Sequence, residues 1–188
     1  MGRLLTLHIV HEKIFAPVKE NKFQYVLYHK FFAAPLPGNA DGEALWERQV
    51  FYRMADIWRA HLAPNVAACP SCGTGPACAA RHTYAGPCGG GAIVFRSHVG
   101  TAKDLSVVLT ARGEEYTETA LVEIANRLVE VLAAACDGKL SAASLAAESA
   151  SSESRKAKCV VAVDEMFFGA HLDTTDVETI LKASKLKV

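Results

Sequence analysis

The stretch "CPSCGTGPACAARHTYAGPC", from Cys69 to Cys88, holds the residues best suited to chemistry in this chain. Cys69 and Cys72 are separated by two residues, a gap that lets both thiolates reach one metal ion. Cys78 and His82 complete a Cys3His set for tetrahedral zinc, with Cys88 as a rival fourth ligand. Bound zinc would order a loop that has no core of its own. The plainer reading is a Gly/Ala/Pro-rich insertion with incidental thiols, because the second pair lacks Cys-x-x-Cys spacing. A catalytic thiol needs a fixed base beside it, and an irregular loop does not supply one.

The other reactive side chains group less well. His8, His11 and His29 lie on two predicted neighbouring strands, where polar-face and loop positions explain them more simply than a metal. "GPCGGGA" lacks the Lys-Ser/Thr of a phosphate loop. Asp164 and Glu165 are adjacent on a predicted helix, so their side chains point about 100° apart and do not converge as acid and base. The reading carries no catalytic residue and no cofactor other than zinc, and the expectation is a protein that is not an enzyme.

The elements that position these residues follow from periodicity. The 188 residues suffice for one domain with a full core, and 20 basic against 20 acidic side chains argue against a generic nucleic-acid binder. No apolar run reaches membrane-spanning length. Leu4 to Val10 reads as a strand buried on both faces, and Lys22 to Phe32 as a half-buried one. A helix is expected from about Glu43 to His61, with Trp46, Val50, Met54, Ile57 and Trp58 on one face and Pro64 as its stop. Residues 62–91 read as an insertion. Strands resume at Ala92 to His98 and at Leu105 to Thr110. The longest helix runs from Tyr116 to Cys136, its stripe being Leu121, Ile124, Leu128, Val131, Leu132 and Ala135. Residues 149–157, "SASSESRK" and its flank, read as a mobile linker. Lys158 to Phe168 is helical, Gly169 reverses the chain, and Thr175 with Glu178 forms a capping box for a last helix.

Hairpins joined by helices give an α+β fold, an antiparallel sheet flanked by helices. That order resembles longin-like domains, and the resemblance implies a five-stranded sheet. "VDEMFFGAHLDTTDVETILKASKL" (Val163 to Leu186) resembles the end of the sigma, or small, subunits of clathrin-adaptor complexes. "RLVEVLAAAC" (Arg127 to Cys136) is similar to that family's long helix, and "IVFRSHVG" (Ile93 to Gly100) to one of its strands. Residues 61–91 have no counterpart in it.

The resemblance implies a small subunit of a vesicle-coat complex in intracellular protein transport. Its partner would be a large adaptin-like subunit, with a medium subunit and cargo signals nearby. Its place would be cytoplasmic, peripheral at membranes or coated vesicles. The partner interface it suggests takes Arg127, Leu128, Val131, Met166 and Phe167, although Val163, Met166 and Phe167 also read as core. Two departures bear on dileucine signals. The family's basic residue on the second strand falls near Gln24, and its Asn before the long-helix core appears as Arg127. A divergent member of TSET/TPLATE type fits those departures better. The alternatives are a zinc-binding interaction module and another longin-domain factor that tethers vesicles or regulates GTPases.

Overall fold

The computed structural model describes residues 2–17, 22–32, 51–69, 76–88, 90–146 and 149–187. β1 (Arg3–His11) lies between β2 (Val26–Phe31) and β5 (Leu105–Arg112), antiparallel to both. β5 pairs with β4 (Gly91–Val99), and β4 with β3 (Thr83–Cys88), again antiparallel. The sheet therefore has five strands in the order β2-β1-β5-β4-β3. This is the expected α+β architecture.

Alternation along the strands assigns the two faces. On β5, Leu105, Val107, Leu109 and Ala111 enter one core, whereas Val108 enters another. On β4, Ala92 and Val94 take the first side, Ile93 and Phe95 the second. The second side packs on α1 (residues 51–57) through Met54 and Ile57, and on Leu62. Phe15, Trp58 and Phe95 stack there, with Phe15 and Trp58 rings 4.9 Å apart. The first side is covered by α4 (Glu118–Ala135) and α6 (Ala150–Met166), with Ile180 of α7 (Val177–Lys187). The central strands are thus buried on both faces, with Thr6, Ser97, Ser106 and Thr110 among the enclosed residues.

The long helix forms as its stripe predicts. Leu121, Ile124, Leu128, Val131, Leu132 and Ala135 are all buried. Thr117 caps its first turn by accepting from the Ala120 N–H. At the other end Asp137, left-handed at φ +53°, turns the chain so that the Gly138 N–H reaches the Ala133 carbonyl.

Several expectations are corrected. Lys22–Tyr25 is a 3-10 turn, and β2 begins only at Val26. Pro64 does not end the helix. The π-helical turn Trp58–Leu62 widens the backbone, with the Ala63 N–H bonded to the Trp58 carbonyl, and α2 (Ala63–Ala67) continues. The wide turn accommodates a residue that has no N–H and whose ring would strike the carbonyl one turn back. The supposed insertion contains α3 (Pro76–Arg81) and the edge strand β3. Pro87 is tolerated there because an edge strand has one unpaired side. Residues 149–157 are not a linker but the cap and first turns of α6, where the side chains of Ser149 and Ser152 each bond the other's backbone N–H. Asp176, not Thr175, caps α7, accepting from the Thr179 N–H at 3.2 Å. Trp46 and Val50 lie outside the described residues. Among the described residues no helix is long and apolar enough to cross a membrane.

Candidate functional site

Three of the expected metal ligands, Cys69, Cys78 and His82, fall together around the start of β3. Cys69 follows α2, Cys78 lies in α3, and His82 immediately precedes β3. Their ligand atoms lie within 4.8 Å of one another, the one such group of three His, Cys or acidic residues among the described residues. The sulfurs of Cys69 and Cys78 are 3.8 Å apart. Cys72 lies outside the described residues. Cys88 is not brought in: it ends β3, six residues beyond His82 and so about 20 Å along the strand. None of the five described cysteines is in a disulfide.

The frame of this cluster is a set of polar ties. The Ala79 carbonyl accepts from the His82 N–H at 3.2 Å, from the Thr83 hydroxyl at 2.8 Å, and from the Arg96 guanidinium. The Asn65 amide donates to the Arg81 carbonyl at 2.8 Å, which joins α2 to α3. The His82 carbonyl accepts from both the N–H and the hydroxyl of Ser97. His82 is 2 % exposed. Burial, then the nearby His98 and Arg96, holds its imidazole below the usual histidine range, so the neutral, metal-binding form prevails at pH 7.

Behind His82 stands a second group that sequence reasoning missed. Its ring stacks on His98 at 4.9 Å. His98 sits in a bulge of β4 with φ +60°, an unfavourable conformation for a side-chain-bearing residue. Glu12 holds that bulge: its carboxylate accepts from the His98 N–H at 2.7 Å and from the Ser106 hydroxyl at 3.1 Å. The His98 ring lies 3.4 Å from the other carboxylate oxygen. Burial pushes the Glu12 carboxyl up to about 7 despite those hydrogen bonds. No local pattern announces this knot, because its members are 86 and 94 residues apart.

The suggested partner interface is corrected by burial. Leu128, Val131 and Met166 are fully enclosed and Phe167 is 2 % exposed, so all four belong to the chain's own core. Arg127 is at the surface, where it pairs with Glu130 at 2.8 Å. The exposed apolar side chains lie elsewhere. Phe168 is 77 % exposed in the small hairpin of β6 (Phe167–Phe168) and β7 (His171–Leu172), and Tyr52 is 65 % exposed on α1. Asp164 lies at the surface and pairs with Lys30 of β2.

A groove of about 630 Å³ beside β2 is lined by Gln24, Lys13, Asp104 and Lys156 among others, and so presents both signs of charge. The buried thiols of Cys136 and Cys159 are 3.4 Å apart where the end of α4 meets α6. The hydrogen bond they share draws Cys136 down to about 7 and, with burial, pushes Cys159 up. No protein-family model matches this sequence, and no curated protein matches it either.

Proposed function

We propose that the chain is a small, non-catalytic subunit of a vesicle-coat or adaptor complex in intracellular protein transport. It acts by packing against a large adaptin-like subunit, with a medium subunit and cargo signals as further contacts. It reaches membranes peripherally, from the cytoplasmic side and through that complex. The observation that carries the reading is topological. An all-antiparallel sheet in the order β2-β1-β5-β4-β3 holds α1 on one face and the two long helices after β5 on the other. Helix α6 then ends in a Gly169 reversal and a closing α7, as the resemblance of the tail requires.

Because the α4 and α6 stripes are spent on the chain's own core, the partner is met elsewhere. The Phe168 hairpin and Tyr52 offer apolar points, and the edge strands β2 and β3 offer backbone. The test is the size of the native particle. In gel filtration of undenatured cytosol the 20.2-kDa chain elutes in a much larger assembly. Elution of the whole pool as a monomer contradicts the proposal. A zinc-binding interaction module is the second reading, favoured by the Cys69, Cys78 and His82 geometry, and it is compatible with the first.

A further inference from the structure

We propose that Cys69, Cys78 and His82 bind one zinc ion, which clips the end of α2 and the helix α3 to the start of edge strand β3. The distances fit a shared metal. With Zn–S near about 2.3 Å and tetrahedral angles, two ligating sulfurs stand about 3.8 Å apart. The Cys69 and Cys78 sulfurs are 3.8 Å apart. A disulfide needs about 2 Å instead. A ligand nitrogen of the His82 imidazole lies within the same 4.8 Å envelope. The Cys136–Cys159 pair has no third donor in such an envelope among the described residues, so closeness of thiols alone does not mark a site.

The donor set suits the metal. Two thiolates and an imidazole match zinc, and the two thiolate charges balance the ion. Binding releases the two thiol protons. The imidazole is held in advance: His82 is buried, its backbone is fixed by Ser97 and Ala79, and His98 backs its ring.

The surrounding described chain is held by polar ties more than by apolar packing. α2 buries no residue, and Cys69 and Cys78 are only half-buried. Apolar burial therefore does little to fix this part, and a metal supplies a cross-link between segments instead. The fourth corner of the tetrahedron is left for water or another donor.

The test uses the full chain purified under reducing conditions without chelator. Elemental analysis should find about one zinc per chain, and Cys78→Ser and His82→Ala should each weaken zinc affinity at least about tenfold. Cys88→Ser and Cys136→Ser should retain the metal. Cobalt loaded in place of zinc should show the intense thiolate-to-metal absorption of a tetrahedral site. Should the variants fail to fold, the wild-type chain still decides the matter: zinc should slow alkylation of Cys69 and Cys78 while leaving Cys88 unchanged. Equal alkylation with and without zinc, a cobalt spectrum without thiolate absorption, or a Cys69–Cys78 disulfide in the freshly isolated protein would overturn the assignment.

Discussion

His8 gives the sharpest prediction about stability. It lies on β1 at 3 % exposure, opposite His29 on β2, with the Phe31 ring edge-on at 5.9 Å. Burial, with a smaller contribution from His29, lowers its pKa from 6.5 to about 4. The unfolded chain thus binds a proton between those values that the folded chain refuses. The sign follows: stability is complete above pH 6.5 and is lost as pH falls toward 4. At pH 4.5 the loss from this residue is about 2.5 kcal/mol, against almost nothing at pH 7.5. His8→Leu keeps an apolar side chain of similar bulk and removes the titration. Urea denaturation of both proteins at the two pH values isolates the effect, since groups not coupled to His8 cancel in the double difference. The variant should gain about 2.5 kcal/mol on the wild type between pH 7.5 and 4.5, with unchanged slopes. A double difference near zero would refute the claim that His8 is buried in its neutral form.

Glu12 runs the other way. Its folded pKa of about 7 lies above the unfolded 4.5, so its contribution is present below pH 4.5 and lost as pH rises to 7. Glu12→Gln should therefore be more stable than wild type at pH 8, by up to about 2–3 kcal/mol, and nearly equal to it at pH 4, as read by denaturation. Leu128→Ala should cost about 2–5 kcal/mol and Arg127→Ala less than about 0.5 kcal/mol, because the first empties a core position and the second removes an exposed pair. Gly100 has φ +83°, and an added Cβ would lie 2.3 Å from the Leu140 carbonyl oxygen. Gly100→Ala should lower the melting temperature, with a cost above about 1 kcal/mol.

The legible parts of the fold were those with a single dominant period. The α4 stripe is one, because each of its apolar residues meets the same layer. β1 is another, because both its faces are covered. Polar composition misled at residues 149–157: serine both loosens loops and caps helices, and here the paired Ser149 and Ser152 start α6. Pro64 misled because a π turn upstream removed the clash that makes proline a stop. The edge strand β3 carries Gly86 and Pro87, so it lacks the apolar alternation of an inner strand. For the site, spacing pointed to Cys69, Cys72, Cys78 and His82 with Cys88 as a rival; Cys72 lies outside the described residues, and spacing could not tell that Cys88 runs away along the strand. The Glu12 knot and the Cys136–Cys159 contact join residues far apart in the chain, so only the fold brings them together. The partner-interface residues were misplaced for a related reason, since an apolar stripe looks the same whether the chain or a neighbour covers it.

The account's central claim is a protein that works through a large partner. Affinity isolation of the tagged chain from lysed cells of its source under mild conditions, with the co-purifying proteins identified and quantified, tests it most directly. The account predicts a large adaptin-like solenoid subunit at close to one copy per copy of this chain. Recovery of the chain alone, or only with tethering factors or GTPases, would contradict it.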